Sequence, residues 1–198
     1  MTLTASWQST NNMMTELSLH VLDVAENSTK AKASLVTISV SVESAADQIV
    51  ISITDDGCGM TKEQVERVTD PFFTTRTTRK VGLGVPFFKM AAEATGGSFS
   101  IESEPGVGTC VCAVFGKSHI DRMPLGDMNA TIHQLIVMHP ECEFLYIYKY
   151  DDRQFTLDTR EFREILGDIP FDTPEVSVYL KQYLSENESE VNQGQTNI

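Results

Sequence analysis

The sequence has few of the features that would assign it to a nucleic-acid-binding or membrane protein. Its 198 residues carry 28 acidic side chains against 15 of Lys and Arg, a formal net charge of −13. Binding to nucleic acid needs a basic surface that displaces counterions, so this composition argues against such a partner. No apolar run approaches the roughly 20 residues of a membrane span, and the polar N-terminus lacks the apolar stretch of a signal peptide. We therefore expect neither nucleic acid nor membrane as a partner.

Cysteine is also scarce, and its spacing gives no metal or redox motif. The four cysteines are Cys58, Cys110, Cys112 and Cys142, and no two of them form a C-x-x-C pair. The spacing does not suggest a disulfide framework or a zinc site. We interpret all four as small buried hydrophobic side chains in a reducing compartment, with a metal or redox role as the alternative. A cytoplasmic location is the expectation that follows.

The remaining composition is that of an ordinary globular protein. Hydrophobic residues make up 41% and charged residues 22% of the chain. This length suffices for one sizeable core and leaves room for a small second module. The character of the sequence changes near Lys117. We predict a first domain over residues 14–117, an acidic α/β region over 119–185 and a polar, disordered tail over 186–198.

Apolar periodicity in the first part predicts helices and strands in a defined order. Helical spacing predicts a helix over residues 14–31, and a second long helix begins near Pro86 and ends at two glycines. The other predicted elements are the strands Ser34–Val42 and Gln48–Thr54, the short helix Lys62–Val68, and the strands Ser98–Ser103 and Thr109–Phe115. The order indicates an α+β fold, a two-layer α/β sandwich with an antiparallel-rich sheet covered on one face.

The last part of the chain predicts a small α/β extension. Helices are indicated over 127–138, 159–166 and 174–184, and strands over 143–150 and 153–157. Every second residue from Phe144 to Tyr150 is aromatic. We expect these rings to form one buried strand face, with a docking patch as the alternative.

Two glycine-containing segments are candidates for a ligand site. Gly82 and Gly84 stand directly before a predicted helix, where glycines let the backbone approach an anion and the helix start offers unpaired N–H groups. The turn Asp55–Gly59 follows a predicted strand, and a buried aspartate there can accept a hydrogen bond from the exocyclic amine of a flat base. Met60 would add polarisable apolar surface. Ordinary turns are the alternative in both places.

The first helix carries three polar residues on one face. Asp23 and Asn27 are four residues apart and Asn27 and Lys30 are three apart, so their side chains are neighbours. Such a set can hold hydrated magnesium, a phosphate and an attacking group, although a solvated face with ion pairs is the alternative. Glu26 lies off this face and is interpreted as structural. We interpret His20, one turn before Asp23, as a packing residue.

The order of these segments resembles one family. The motifs N-x-x-K at residues 27–30, D-x-G-x-G at 55–59, D-P-F-F-T-T at 70–75, G-x-G at 82–84 and G-x-G-T at 106–109 follow one another. This order resembles the Bergerat-fold ATP-binding domain of the GHKL superfamily. Members include sensor histidine kinases, anti-sigma-factor serine kinases, type II topoisomerases and mismatch-repair ATPases. The resemblance spans about Glu16–Phe115; residues 82–115 resemble the histidine-kinase version, and residues 22–31 the mismatch-repair version.

By this resemblance, three residues of the first helix would act on the phosphates of ATP. Asn27 would ligate the magnesium ion that bridges them, and Lys30 would meet a phosphate. Asp23 stands at the position of the general base or of a second polar ligand. Topoisomerase and mismatch-repair members have Glu where this chain has Asp23, and a shorter side chain would position water poorly and slow hydrolysis.

The resemblance also implies an adenine pocket and a lid. Asp55 would bind the adenine amino group, Gly57, Gly59 and Met60 would shape the base pocket, and Thr109 would support the same edge. The implied lid and phosphate contacts are Phe73, Arg76, Lys80, Gly82 and Gly84. Arg76 stands where many members have a lysine. The lid segment over residues 74–81 is short, so we expect it to cover nucleotide incompletely.

Three functions fit these implications. The chain is a stand-alone protein kinase or regulator of a partner protein, an ATPase or ATP-sensing regulatory subunit, or a binding module in which ATP is structural. We place the kinase or regulator first, because the lid and helix resemble the kinase branch. Few residues precede the first helix, and His119, His133 and His139 lack a phosphoacceptor context, so we do not expect a complete sensor kinase. The partner would bind residues 119–198, and a homodimer stays open.

Overall fold

The fold is taken from a computed structural model, which describes residues 15–70 and 84–193. Helices and strands follow one another through both described ranges. Their bounds are α1 Leu17–Lys30, β1 Leu35–Glu43, β2 Gln48–Asp55, α2 Lys62–Thr69, α3 Gly84–Ala94, β3 Ser98–Glu104, β4 Gly108–Gly116, α4 Met128–Met138, β5 Glu143–Tyr150, β6 Arg153–Asp158, α5 Thr159–Leu166 and α6 Pro174–Asn192. The predicted elements of these ranges are all present, most within two residues of their predicted ends.

The strands form one six-stranded mixed sheet in the order β3-β4-β2-β1-β5-β6. Strands β1 and β5 run parallel, and the other neighbouring pairs are antiparallel. Along β1 the buried positions alternate with half-buried ones, as expected for a sheet covered on one face. The predicted α+β architecture is therefore confirmed.

The core lies between that covered face and the helices. Every second residue of β1 from Val36 to Val42 is buried, as are Ile49, Ile51 and Ile53 of β2. Helix α1 contributes Val21, Val24 and other buried residues, and it packs against α3 and α4. Because each strand residue points opposite to its neighbour, this alternation fixes which residues of β2 face α1.

The C-terminal part extends the same sheet. Strand β5 pairs with β1 from Leu35 opposite Glu143 to Val42 opposite Tyr150. The aromatic residues of β5 that alternate from Phe144 to Tyr150 are buried, which confirms the predicted strand face. The predicted boundary near residue 118 therefore falls inside one continuous sheet, and independent folding of residues 14–117 stays a prediction.

The predicted disordered tail over residues 186–198 is wrong for its first part, because α6 continues to Asn192. Val191 and Asn192 are both buried, and the Tyr148 hydroxyl donates a hydrogen bond to Asn192 Oδ1 at 2.9 Å. These long-range contacts hold a segment whose polar composition alone predicts no helix. Within residues 15–70 and 84–193, no helix is both long and apolar enough to cross a bilayer.

The interpretation of the cysteines is also corrected. Only Cys142 is buried; Cys58 is exposed, and Cys110 and Cys112 are half-buried. The latter two alternate with the buried residues Val111 and Ala113 of β4, so they lie on the face of the sheet opposite the core. A strand pattern of small apolar residues cannot by itself distinguish the two faces.

Two buried tyrosines of β5 offer a matched test of this packing. Tyr146 is fully buried, and its hydroxyl has no hydrogen-bond partner within the described residues, whereas the Tyr148 hydroxyl bonds Asn192. Tyr148→Phe would leave Asn192 Oδ1 unpaired and should cost about 1–2 kcal/mol of unfolding free energy. Tyr146→Phe should change stability by less than about 0.5 kcal/mol or raise it. Urea denaturation followed by circular dichroism measures both, and equal losses would contradict this packing.

Candidate functional site

A cavity of about 140 Å³ opens between α1, the end of β2 and the start of α3. Its walls are mostly apolar, with a few polar side chains at defined positions, which is the character of a small-molecule site. Among the described residues it is lined by Val24, Asn27, Ser28, Ala31, Asp55, Cys58, Gly59, Met60, Val68, Val85, Ile101, Thr109 and Val111.

Asp55 is the carboxylate of this cavity. It is the last residue of β2 and is only 9% exposed. The Ser28 hydroxyl donates to its Oδ2 at 2.6 Å, and the Gly57 N–H donates to its Oδ1 at 2.9 Å. Because a carboxylate offers about four acceptor positions, two remain for a ligand. The two protein donors fix the direction in which those positions point.

The two glycines of the Asp55–Gly59 turn have different roles. A Cβ at Gly57 would lie 2.9 Å from Asp55 Oδ1 and 3.0 Å from Ala31, so this glycine lets the carboxylate bond its backbone. Gly59 has a φ of +63°, and a Cβ there would collide with the carbonyl of Glu104. Gly59 lines the cavity, whereas Gly57 affects the cavity only by orienting the Asp55 carboxylate through its N–H group.

A serine in β3 holds the opposite wall. The Met60 N–H donates to Ser103 Oγ at 2.8 Å, and Ser103 Oγ donates to the carbonyl of Gly108 at 2.9 Å. The Thr109 hydroxyl lies 2.9 Å from Ser103 Oγ. Ser103 therefore joins the two predicted pocket residues, Met60 and Thr109, which lie on different elements.

Two of the residues predicted to act on phosphates, Asp23 and Asn27, lie near the start of α3. Asn27 lines the cavity one turn after Asp23 on α1. Gly84 is the first residue of α3, and a Cβ there would collide with the Asp23 carboxylate. The absence of a side chain at Gly84 thus lets Asp23 lie against the N-terminal end of a helix, where unpaired N–H groups are expected.

Comparison with known proteins agrees with this arrangement. Residues 13–118 match the family described as "Histidine kinase-, DNA gyrase B-, and HSP90-like ATPase". The chain belongs to this family. A solved structure, "Crystal Structure of N terminal domain of a DNA repair protein", is similar with a TM-score of 0.52 at 13% identity, over 73% of this chain and 53% of that one. This likeness supports the fold alone.

Curated relatives of this histidine-kinase-like ATPase include signalling kinases. The chain is 30% identical over 104 residues to a putative sensor protein of Shewanella frigidimarina, 52% of this chain and 16% of that protein. It is 40% identical over 63 residues to sporulation kinase E of Bacillus subtilis, which is 32% of this chain and 8% of that protein. It is 36% identical over 94 residues to sensor protein kinase FleS of Pseudomonas aeruginosa, which is 48% of this chain and 23% of that protein. The chain thus spans only a small part of these relatives' length.

Two polar residues near the ATPase-family cavity are engaged elsewhere. Lys30 Nζ lies 3.1 Å from Glu26 Oε2 in an exposed ion pair. Such pairs contribute little free energy, so Lys30 can leave Glu26 at small cost. The Asp56 carboxylate accepts hydrogen bonds from the N–H groups of Ser34 and Leu35. Partial burial raises the pKa of Asp56, but the hydrogen bonds from Ser34 and Leu35 outweigh it and hold the pKa below its usual value.

Several predicted residues of the lid cannot be placed. Phe73, Arg76, Lys80 and Gly82 lie outside the described residues, so their roles stay predictions. Within the described ranges, no three His, Cys, Asp or Glu side chains cluster as metal ligands. The Asn27 amide oxygen alone fits Mg²⁺ that is held mainly by substrate phosphates, because Mg²⁺ commonly takes only one or two protein oxygens at such sites.

Sequence reasoning missed Ser28 and Ser103. Ser28 continues the apolar stripe Val21, Val24 and Ala25 of α1, and a serine at a core position must find a hydrogen-bond partner. That stripe was a usable signal that Ser28 meets a polar group of the sheet. Ser103 offers no comparable signal. Gly108 and Thr109 are its neighbours across the β3–β4 hairpin, but Met60 lies 43 residues away along the chain.

His20 packs beneath the site, which confirms its interpretation as a packing residue. It is 1% exposed and stacks on Phe88 of α3 with ring centroids 5.9 Å apart. Neither ring nitrogen has a hydrogen-bond partner in the described part of the chain. Burial lowers the pKa of His20 from 6.5 to about 4. A neutral imidazole in an apolar contact therefore joins α1 to α3.

This burial predicts a pH-dependent stability. As pH falls from 6.5 towards 4, the unfolded chain binds a proton at His20 before the folded chain does, so stability present above pH 6.5 is progressively lost. The loss through this group is at most about 3 kcal/mol. His20→Phe should keep the ring contact and flatten the pH dependence of urea denaturation over this interval. Met138→Phe, which adds a ring at an exposed position without a titratable group, should leave the pH dependence unchanged. Identical profiles for wild type and His20→Phe would contradict the prediction.

Proposed function

We propose that this chain binds ATP with Mg²⁺ in the α1–β2 cavity and acts on a partner protein, as a stand-alone protein kinase or regulator. The observation that carries the proposal is the buried Asp55 carboxylate, oriented by Ser28 and Gly57 at one end of an apolar cavity. A carboxylate accepts and does not donate, so it selects a base edge that presents an amino group. Adenine has such an edge.

The apolar walls support a flat base beside Asp55. Val24 and Ile101 line the cavity together with Met60, whose thioether adapts to a ring surface. The described residues enclose about 140 Å³, less than the roughly 300 Å³ at the lower end of whole-ligand pockets. The enclosed part therefore suits the base, and the rest of the nucleotide would extend past Asn27 towards α3.

The phosphates would meet Asn27 and the N-terminal end of α3. A helix start attracts anions through its unpaired N–H groups and its dipole. Bound Mg²⁺ would neutralise charge on the phosphates as the terminal phosphoryl group transfers. Asp23, which lies against Gly84 at this helix start, would orient the attacking hydroxyl or water and accept its proton.

A second function, an ATPase or ATP-sensing regulator without kinase activity, is favoured by Lys30. Its ammonium lies beside Glu26 and away from the cavity, so it supplies positive charge to the phosphates only after it leaves this exposed ion pair. The position of the Lys30 ammonium and the short Asp23 side chain both support slow phosphoryl transfer. In this case nucleotide would change the affinity of the chain for a partner. A module in which ATP is purely structural is the third alternative.

Other features of the proposal come from the sequence. We propose a cytoplasmic location, a partner that contacts residues 119–198, and no nucleic acid. The acidic charge of the chain supports the last of these. A homodimer stays an alternative.

If Asp55 binds the adenine amino group, changing Asp55 should weaken the binding of nucleotides that carry this group. Asp55→Asn removes the charged acceptor and should weaken ATP binding about 10- to 100-fold in calorimetry with Mg²⁺. Purine riboside triphosphate, which lacks the amino group, should bind wild type and variant almost equally. Asp152→Asn, in the exposed β5–β6 turn, makes the same chemical change away from the site and should bind ATP like wild type. An unchanged ATP affinity in folded Asp55→Asn would contradict the proposed adenine contact.

The role of Asp23 predicts a split between binding and turnover. With ATP labelled in the γ-phosphate, Asp23→Asn should lower phosphoryl transfer about 10²- to 10⁴-fold and leave ATP affinity within about threefold of wild type. Asp152→Asn, the same chemical change in the exposed β5–β6 turn, should keep the wild-type rate. Label on a separate protein of a cell extract supports the kinase, and label in free phosphate alone supports the ATPase. Wild-type turnover by Asp23→Asn would contradict this role.

A further inference from the structure

Helices α5 and α6 carry an apolar surface that lies outside the residues matched by the ATPase family. The Phe162 ring of α5 contacts Tyr179 and Tyr183 of α6, with centroids 6.3 and 5.3 Å apart, and the two tyrosines lie 6.3 Å apart. Ile165 follows Phe162 by three residues, so it lies on the same side of α5. We call these four residues the α5–α6 aromatic surface.

This surface is open to solvent and firmly anchored. Ile165 is 85% exposed and Tyr179 is 58% exposed, whereas Phe162 and Tyr183 are half-buried and packed against the core. Single exposed apolar residues are common, but a contiguous group on a packed base marks an interaction site. Tyrosines contribute strongly to such sites because they bury much area and lose little rotamer entropy.

Three carboxylates lie one helical turn from the surface. Glu161 precedes Ile165 by four residues, Glu175 precedes Tyr179 by four, and Glu186 follows Tyr183 by three, so helix periodicity puts each beside the aromatic group. All three are exposed. None forms an ion pair within the described ranges, where the ion pairs of the region involve other residues.

The two arginines of α5 offset little of this charge. Arg160 pairs with Asp158 at 2.6 Å. Arg163 pairs with Glu143, donates to the carbonyl of Pro140 and lies 4.9 Å above the Phe171 ring. Both guanidinium groups are therefore engaged by Asp158 and Glu143. Glu161 adds only a weaker attraction on Arg160, so the rim of the aromatic surface keeps most of its negative charge.

This combination selects the chemistry of the partner. We propose that the α5–α6 aromatic surface binds a segment of a partner protein in which Lys or Arg side chains flank apolar ones, as in a basic amphipathic helix. Tyrosine rings attract cations on their faces, and nearby carboxylates add Coulomb attraction and faster association. An anionic lipid surface or a nucleic acid would be repelled by the same carboxylates. That the partner is the target of the ATP-binding domain rests on the proposed function; the binding itself needs no nucleotide.

The test uses a defined probe and the full chain. The probe is a dye-labelled helical peptide of about 14 residues that alternates pairs of Leu and Lys, and its match has Glu in place of every Lys. We expect fluorescence anisotropy to show binding of the Lys peptide, with affinity falling several-fold between about 50 and 500 mM NaCl. The Glu peptide should not bind. Binding of both peptides alike would overturn the proposal.

Paired variants separate this surface from the general acidity of the chain. Ile165→Ala with Tyr179→Ala should weaken the Lys peptide at least about tenfold. Val178→Ala removes an equally exposed apolar side chain one residue away, which points about 100° around α6, and should change affinity less than about twofold. Glu175→Gln with Glu186→Gln should weaken binding several-fold and reduce its salt dependence, whereas Asp152→Asn should not.

Two further outcomes would overturn the proposal. Equal losses in the surface and control variants would mean that the peptide senses only net charge. Wild type that sediments as a dimer, and becomes monomeric with Ile165→Ala and Tyr179→Ala, would assign the surface to a second copy of the chain. Asp55→Asn should bind the Lys peptide like wild type, so failure of the proposed ATP site and failure of this surface remain distinguishable.

Discussion

The position of one buried carboxylate decides the geometry of the site. Asp55 ends β2 in the sheet layer, and Ser28 in the helix layer donates to it at 2.6 Å, while Gly57 of the following turn donates to its other oxygen. A carboxylate removed from water needs such donors, so the two layers must meet at this point in one arrangement. The cavity lies where they meet. Its shape and the direction of its acceptor are therefore set by the same two hydrogen bonds.

The helix that provides Ser28 and Asn27 is in turn supported from the C-terminal part of the chain. At its start, the N–H groups of Leu17 and Ser18 donate to the carbonyls of Pro124 and Leu125, and α1 packs along α4. Strand β5 also completes the sheet beside β1. The region beyond residue 118 is thus a structural support of the ATPase domain as well as a candidate surface for partners. Removing it would expose a strand edge and free the start of α1.

Most helices and strands could be predicted because their signals are local. Alternating apolar residues in β1 and β2, the glycines after α3 and the aromatic row of β5 each define an element without knowledge of its partners. The rest depends on contacts between distant residues. The parallel pairing of β5 with β1, the extension of α6 to Asn192 and the Ser103 link between Met60 and Thr109 leave no local pattern. Likewise, spacing groups Lys30 with Asn27, but its ammonium lies beside Glu26.

The two candidate surfaces make opposite electrostatic demands, and one fold meets both. The cavity would receive an anion at a helix start, where backbone dipoles supply positive potential without basic side chains. The α5–α6 aromatic surface offers carboxylates and rings to a cation. The cavity and the α5–α6 aromatic surface belong to one continuous sheet with its helices. If bound nucleotide changes the affinity of that surface for a partner, it must do so by moving an element that contacts both regions. Helix α1 is the best candidate, since it lines the cavity and packs against α4, which in turn packs against α6. Coupling of this kind requires two arrangements of α1 with different affinities for nucleotide, and without them the two sites bind independently.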